Sequence, residues 1–234
     1  MVEPKISDFK MFERAPYKIP DPKALMDAQM IGFMELEKFY GPVFKKLLIK
    51  HALQFISQKI GEEPPKNIES LDQLAEYLLS KTDKYPLPNC AGYYAQIKTE
   101  KELQGLLGAA YRLSEASFHK SHIKRQTVEG LKFNLDEIMA NLYQFAIESK
   151  LAPEEFGYRV NRNGSLDALF PNCFYKEVCR QAFEEGLLKR AGGSMHCAMG
   201  VTLCQYFKMV TGYEWDYELV EYDRPHCIIK CYII

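Results

Sequence analysis

The period of the hydrophobic pattern changes once along this chain of 234 residues. Through most of residues 23–150, apolar side chains recur every three or four positions, which is typical of amphipathic helices. Near the C-terminus, Trp215 to Tyr222 alternates between apolar and polar residues, and an apolar run from Cys227 to Ile234 follows a turn. This ending predicts a β-hairpin. The order therefore predicts an α+β fold, in which a helical N-terminal half precedes an antiparallel sheet with packed helices.

Capping and breaking residues predict where the helices begin and end. The predicted boundaries are Asp21-Pro22, Gly41-Pro42, Gly61, Ser70 and Asn134. A helical pattern also runs from Glu100 to about Phe118, ahead of the basic segment His119–Arg125, which we expect to be exposed. Between these helices, Gly92–Lys98 is predicted as a short strand, because tyrosine and isoleucine suit a half-buried β surface.

Composition and pattern divide the chain into three regions. Residues 1–22 hold four prolines and predict an extended N-terminal arm that could lie across a partner subunit. Residues 23–150 form a mainly helical region. Residues 151–234 form an α+β region, which we expect to join the helical part in one compact unit. Its further predicted elements are a strand at 156–160, a turn at Asn161–Gly164, and helices at Tyr175–Leu188 and Cys197–Val210.

Charge and composition exclude several functional classes. The net charge is −1, so the chain lacks the basic field that would hold nucleic acid or an anionic membrane. No stretch approaches the ~18 apolar residues that span a bilayer, and the polar start at Met1–Lys5 is unlike a secretory signal. Seven cysteines without an export signal indicate a reducing compartment, so we expect a cytoplasmic protein.

The last forty residues concentrate the soft metal ligands of the chain, since they hold four of the seven cysteines and two of the five histidines. Zinc takes about four ligands in a tetrahedron. Four residues could supply them if the hairpin folds over a helix start: Cys197, Glu221, His226 and Cys227. Cys227 and Cys231 share one face of a strand about 13 Å apart, so at most one of the two would be a ligand. The alternative is that these thiols only fill the core.

Cys197 is also a candidate nucleophile. A helix N-terminus lowers the pKa of a thiol, because the helix dipole and the unpaired N–H groups stabilise the thiolate. His226 is a better base candidate than His196, since neighbouring residues on a helix point apart, and a carboxylate such as Glu221 would complete the site. This arrangement favours a Cys-dependent hydrolase. The alternative is a small side chain that packs at a helix start.

The order of elements in the last third resembles a known family. A strand, a helix, Gly192-Gly193, Cys197, a second helix, a strand, a turn, His226-Cys227 and a final strand follow one another. In this order, residues 156–234 resemble the 4-vinyl reductase domain family of small-molecule binding proteins. Pro225–Ile229 matches the last element of that family, and Cys197 matches its earlier cysteine. The same pattern is more loosely similar to L-2-amino-thiazoline-4-carboxylate hydrolase-like proteins.

The resemblance implies a cytosolic protein that binds an apolar or aromatic small molecule. It also implies about one zinc ion per chain, held through Cys197 and Cys227. Two other functions stay open, namely a Cys-dependent hydrolase of a small heterocyclic or amide substrate and a dimeric assembly protein. The ligand pocket would lie between the sheet and the helices of the last third, lined by Phe170, Phe174, Tyr206, Phe207 and Tyr217.

The N-terminal half predicts a homodimer. The proline-rich arm and a helix that carries Met26, Met30 and Met34 are hard to cover within one small domain. Methionine side chains adapt well to such buried interfaces. The expected partners are therefore a small-molecule ligand and a second copy of the chain, with no nucleic acid and no membrane.

Overall fold

The α+β fold class predicted from the sequence is confirmed by the structure, a computed structural model that describes residues 5–107, 134–187, 197–221 and 226–234. Within these ranges the chain forms seven helices and a five-stranded sheet. The helices are α1 (Pro22–Tyr40), α2 (Pro42–Ile60), α3 (Leu71–Leu79), α4 (Asn89–Leu107), α5 (Leu135–Glu148), α6 (Lys176–Glu184) and α7 (Ala198–Thr211). The strands are β1 (Lys10–Met11), β2 (Gly157–Val160), β3 (Leu166–Phe170), β4 (Trp215–Glu221) and β5 (Cys227–Ile233).

The chain folds into two compact units. The helical unit comprises Asp21–His122 and Glu177–His196. The sheet unit comprises Met1–Pro20, Ile123–Lys176 and Cys197–Ile234. The boundaries of these two units differ from those of the three regions inferred from the sequence. One reason is that long-range strand pairing brings the N-terminal segment to the sheet.

The N-terminal segment lies along its own sheet unit. Its strand β1 pairs antiparallel with β2 at the edge of the sheet. Beyond β1, the N–H of Phe12 donates to the carbonyl of Phe156 at 3.0 Å, and the N–H of Ala15 donates to the carbonyl of Glu154 at 3.0 Å. The extended arm expected at residues 1–22 is therefore paired over this stretch with the backbone of the same chain.

The predicted helix starts are confirmed by their caps. The Asp21 carboxylate accepts the N–H of Lys23 at 2.8 Å, and the Ser70 hydroxyl accepts the N–H of Gln73 at 3.1 Å. Asn134 caps α5 in the same way. Each cap satisfies N–H groups that the first turn leaves without partners. The pattern predicted beyond Leu107, to Phe118, and the basic segment His119–Arg125 lie outside the described residues.

The predicted strand at Gly92–Lys98 is wrong, because these residues belong to helix α4. Residues 89–97 are all buried. The segment therefore has no exposed face, and its sequence does not alternate clearly between apolar and polar residues at the period of either a strand or a helix. Gly92 permits the packing: a Cβ there would lie 2.7 Å from Gln29 Oε1 and 3.2 Å from the Phe33 ring of α1. Close packing against neighbouring helices therefore overrides the β propensity of the tyrosines and isoleucine.

Helix α6 docks within the helical unit partly through polar groups. Glu177 Oε1 lies 2.6 Å from Lys59 Nζ, and the Tyr94 hydroxyl donates to Glu185 Oε2 at 2.5 Å. Phe183 also lies on α6, but its side chain is 48% exposed. Glu177 and Glu185 are eight residues apart, so they lie on the same side of the helical path and both contact the rest of the helical unit. Phe183 lies on a different side of the helix.

The sheet is antiparallel throughout, with strand order β1-β2-β3-β5-β4. The predicted C-terminal hairpin is confirmed as β4 and β5. The predicted turn at Asn161–Gly164 joins β2 to β3, and Gly164 takes φ 79°, a conformation that favours glycine. Strand β3 was not predicted, because all five of its residues are buried and show no alternation.

One face of the sheet carries the main core of the sheet unit. Strand register sets Cys231 opposite Leu166 on one side and Tyr217 on the other, so these three side chains share that face. Helices α5 and α7 contribute residues to the same cluster. The opposite face holds a smaller cluster of Phe9, Leu169 and Ile228.

A charged cross-strand row lies on that opposite face. Arg159 pairs with Asp167, Asp167 with Lys230, and Lys230 with Glu218, so charges alternate across four strands. Arg159 Nη2 lies 2.6 Å from Asp167 Oδ2, and Asp167 is only 6% exposed. Opposite charges at directly paired positions stabilise an antiparallel sheet.

Tyr158→Phe should lower the free energy of unfolding by about 1–2 kcal/mol at pH 7. The buried Tyr158 hydroxyl donates to Asp136 Oδ1 at 2.6 Å, and Lys10 Nζ donates to the same oxygen at 3.1 Å. The Tyr158 hydrogen bond, followed by Lys10, holds the pKa of Asp136 below its usual value. The measurement is urea unfolding, with Tyr213→Phe as the control at a 56% exposed tyrosine.

The same pair of variants gives a pH test. A lowered pKa in the folded state contributes stability above the unfolded pKa of about 4, and this stability is lost as the pH falls through the folded pKa. The difference between wild type and Tyr158→Phe should therefore shrink as the pH falls from about 4. A difference that stays constant down to acid unfolding would contradict the assigned role of Asp136.

Candidate functional site

The N-terminus of α7 is built on Cys197. This residue is the N-cap, in an extended conformation, as the sequence predicts for the start of this helix. Its N–H donates to the Tyr217 hydroxyl at 3.0 Å, while its thiol does not cap the helix. Cys197 is only 9% exposed. The helix dipole thus favours a thiolate at this position, whereas burial opposes it.

Gly200 allows α7 to lie directly on Tyr217. A Cβ at Gly200 would lie 2.6–2.8 Å from three atoms of the Tyr217 ring, which is closer than side-chain carbons approach. The ring therefore fills the space over Gly200, and its hydroxyl reaches the backbone of Cys197 one turn earlier. This contact fixes the start of α7 on β4.

Two further thiols meet between α7 and β5. Cys204 follows Cys197 by two helical turns, and its thiol is hydrogen-bonded to the thiol of Cys231. Cys231 is fully buried, and Cys204 is 4% exposed. Burial, then the Cys204 contact, raises the pKa of the Cys231 thiol well above its usual value, with a smaller contribution from Cys197. The site therefore holds a protonated Cys231 thiol in an apolar core.

The other predicted metal ligands lie around the hairpin. Cys227 begins β5 opposite Phe170, and half-buried His226 directly precedes it. Glu221 ends β4, with its backbone opposite Ile228. Cys227 and Cys231 face the same core, as their spacing predicts. In the part of the chain that the structure describes, which excludes the Glu221 side chain, no three His, Cys, Asp or Glu groups form a metal-binding arrangement. The zinc set therefore stays a prediction.

Four of the five predicted ligand-lining aromatic residues come together in the core of the sheet unit: Phe170, Tyr206, Phe207 and Tyr217. Each of the four is at most 2% exposed. The fifth, Phe174, lies just before α6, is half-buried, and has its ring centroid 4.5 Å from that of Tyr175. The Phe207 centroid is 4.9 Å from that of Trp215.

Tyr206 places a polar atom in this core without a described partner. It is 1% exposed, and its hydroxyl makes no hydrogen bond to any residue that the structure describes. The neighbouring Gln205 Oε1 is also buried without such a partner. Burial alone raises the pKa of Tyr206 to about 12, so the hydroxyl is protonated and able to donate. A buried hydroxyl without a partner costs about 1–3 kcal/mol.

Tyr206→Phe should therefore leave the free energy of unfolding unchanged or raise it by about 1 kcal/mol, since the variant removes a buried hydroxyl and keeps the ring. The measurement is urea unfolding followed by the fluorescence of Trp215, the sole tryptophan. Tyr158→Phe is the matched comparison, because its hydroxyl has a carboxylate partner and its loss should destabilise. A loss above about 1 kcal/mol for Tyr206→Phe would mean that the hydroxyl is satisfied within the protein.

The thiol pair is the part of the site that sequence reasoning missed. Seven-residue spacing puts Cys197 and Cys204 on one side of α7, and period-two alternation puts Cys231 on the face of β5 that meets this helix. These two signals together could have indicated that the thiols approach one another. Nothing in the sequence signals that Tyr217 packs over Gly200, because that contact depends on the position of α7 on β4.

Comparison with protein families, with curated proteins and with solved structures finds no match to this chain. Among the described helices, none combines the length and the apolar character needed to cross a membrane.

Proposed function

We propose that this chain is a cytosolic protein that binds a small apolar or aromatic molecule in its sheet unit, as the resemblance to the 4-vinyl reductase domain family implies. The observation that carries this proposal is the buried Tyr206 hydroxyl, which has no described partner inside an otherwise apolar, aromatic core. Buried polar groups in folded proteins nearly always have a hydrogen-bond partner. A ligand with a polar head would provide one.

The surroundings of Tyr206 suit such a ligand. Small-molecule sites combine apolar and aromatic walls with a few polar groups that orient the ligand. Phe207 follows Tyr206 on α7, with their ring centroids 6.4 Å apart. The Tyr206 hydroxyl can donate or accept a hydrogen bond. A hydroxyl or amide head on an apolar body therefore fits this chemistry.

The test compares p-cresol with toluene, two molecules of similar shape that differ by one hydroxyl. Isothermal titration should give binding of p-cresol about 3- to 10-fold tighter than binding of toluene, which is the range of one net hydrogen bond. In Tyr206→Phe this preference should disappear, whereas the exposed control Tyr213→Phe should keep it. Absence of binding by either molecule at millimolar concentration would refute a pocket for such ligands at Tyr206.

A zinc ion held through Cys197 and Cys227 is part of the same proposal. Both residues are buried members of the sheet-unit core, and zinc bound to their thiolates would contribute on the order of 10 kcal/mol to folding. Elemental analysis of protein purified without chelators should find about one zinc per chain. Cys197→Ala and Cys227→Ala should lose it, and Cys90→Ala, at a buried thiol of the helical unit, should retain it. Metal-free wild type of full stability would refute the site.

A Cys-dependent hydrolase is the second candidate, favoured by the position of Cys197 at the start of α7. Cys197 would be the nucleophile and His226 the base. This function requires Cys197 to react with iodoacetamide faster than the six other cysteines at pH 7, because a helix N-terminus promotes thiolate formation. Mass-spectrometric mapping of the alkylated cysteines measures this. Slow labelling of Cys197, with and without a chelator, would exclude the nucleophile.

We also propose that the protein is a homodimer, although the structure leaves fewer methionines available to an interface than the sequence suggests. Met26 and Met30 are buried in the core of their own helical unit, so of the three methionines only Met34, at 42% exposure, is available to a second copy. Ile31 is also exposed on α1. Sedimentation at micromolar concentration should find a dimer, and Met34→Glu should weaken it. A wild-type monomer would refute the dimer and the assembly function with it.

A further inference from the structure

We propose that Cys204 and Cys231 form a two-thiolate site for a soft d10 metal ion that prefers linear coordination, of which Hg(II) and Cu(I) are the test cases. The site uses neither Cys227 nor His226, and it does not depend on the small-molecule function or on zinc.

The geometry of the site comes from a helix and a strand that pack together. Cys204 lies on α7 and Cys231 on β5, and their thiols are in hydrogen-bonding contact. Cys231 is held in register between Leu166 of β3 and Tyr217 of β4. A strand that pairs on both sides cannot shift its side chain far. The two sulfur atoms are therefore brought together before any ion binds.

The chemistry of the site matches a soft ion. Thiolate sulfur selects soft cations such as Cu(I) over hard ones. Two ligands complete a linear d10 complex, so no further polar group is needed in the apolar core. Zinc instead takes four ligands. Cys227, which faces the same core, lies four residues from Cys231, so about 13 Å of strand separates the two backbone positions.

Charge balance sets the order of affinity. Binding replaces two thiol protons by the metal ion: Hg²⁺ and two thiols give a neutral dithiolate complex and two protons, whereas Cu⁺ gives a complex of charge −1 and two protons. An uncompensated charge is costly in an apolar interior. Hg(II) should therefore bind more tightly than Cu(I), relative to the affinity of each ion for a small dithiol in water.

Proton release provides a signature of the site. Metal ions bind thiols as thiolates, so an ion that takes both ligands displaces the protons of both. Burial and the contact with Cys204 raise the pKa of the Cys231 thiol, which keeps the proton on this thiol until the ion binds. Each bound ion displaces two protons, so the apparent affinity at fixed free metal should rise about 100-fold per pH unit. A site that used one thiol would show about a tenfold rise per unit.

The main experiment uses the full chain, reduced and as purified without chelators. Hg(II) is supplied from a dithiothreitol buffer and Cu(I) from bicinchoninate, so that free metal is controlled. Cys204→Ala and Cys231→Ala should each lose at least about 100-fold in affinity for either ion, since one of two ligands is removed. Cys90→Ala, at a buried thiol of the helical unit that belongs to neither proposed metal site, is the control and should change affinity less than about threefold. Trp215 fluorescence checks the fold of each variant.

A second measurement avoids the variants, in case either fails to fold. Wild type loaded with one equivalent of Hg(II) is alkylated in urea and mapped by mass spectrometry, and Cys204 and Cys231 should be the protected pair. X-ray absorption of the loaded protein should find two sulfur ligands. Protection of Cys197 and Cys227, unchanged affinity in folded Cys204→Ala, or a single-proton pH slope would each overturn the proposal. Protection of neither thiol, with a Cys204–Cys231 disulfide formed by diamide, would also overturn it.

Discussion

Phe207→Ala should lower the free energy of unfolding by about 3–5 kcal/mol, the largest single-residue effect that we expect. Phe207 lies on α7 in the core of the sheet unit and is fully buried. Its ring packs against Trp215, with a centroid distance of 4.9 Å. Truncation removes this contact and leaves a cavity between α7 and β4, because no other side chain fills the volume of the lost ring.

Trp215 makes this loss directly measurable. It is the only tryptophan of the chain, it belongs to the sheet unit, and it lies beside the altered residue. Urea unfolding followed by its fluorescence should therefore report the sheet unit. Val160→Ala, at a residue of the same unit that is 40% exposed, is the control and should cost less than about 1 kcal/mol. A similarly small loss for Phe207→Ala would show that its surroundings are not closely packed.

Gly200→Ala should lower the free energy of unfolding by about 1–3 kcal/mol, although alanine is the better helix former by about 1 kcal/mol. The added Cβ would lie 2.6–2.8 Å from the Tyr217 ring, including the Cγ atom next to the backbone of β4. Rotation about χ2 leaves the Cγ atom in place, and rotation about χ1 would carry the hydroxyl away from Cys197. Either α7 lifts from β4 or the hydrogen bond between Cys197 N–H and the Tyr217 hydroxyl is lost.

A double-mutant cycle isolates this contact. Gly200→Ala should be relieved in a Tyr217→Leu background, with a coupling energy of about 1–2 kcal/mol, because the ring that opposes the Cβ is absent. Thr202→Ala is the control within the same helix, since its hydroxyl donates to the Ala198 carbonyl of the preceding turn and loss of such a bond should be near neutral. A stabilised Gly200→Ala would mean that α7 has room above Tyr217.

The local parts of the fold were predictable from short stretches of sequence. Asp21, Ser70 and Asn134 act through N–H groups two or three residues away, so their neighbours suffice to predict helix starts. The β4–β5 hairpin was predictable because β4 alternates at period two. Segments buried on every side gave no such signal. The start of α4 around Gly92 was therefore predicted as a strand, and β3 was not predicted.

The candidate site was predictable in its residue types and less so in its contacts. The sequence indicated that Cys197 starts a helix and that Cys227 and Cys231 share one face of a strand, and both predictions are confirmed. Which thiols touch depends on where along the sheet α7 lies. That position brings Cys204 to Cys231 and Cys197 N–H to the Tyr217 hydroxyl.

The fold class, the helix starts and the concentration of thiols in the last forty residues follow from short stretches of sequence, because periodicity and capping are local properties. Three other features follow from the three-dimensional packing: the N-terminal segment pairs with β2, Gly200 lies against Tyr217, and the Tyr206 hydroxyl is buried without a described partner. These features join residues distant in sequence or depend on the packing around them. Their energies depend on the shape of both surfaces, which no single segment encodes.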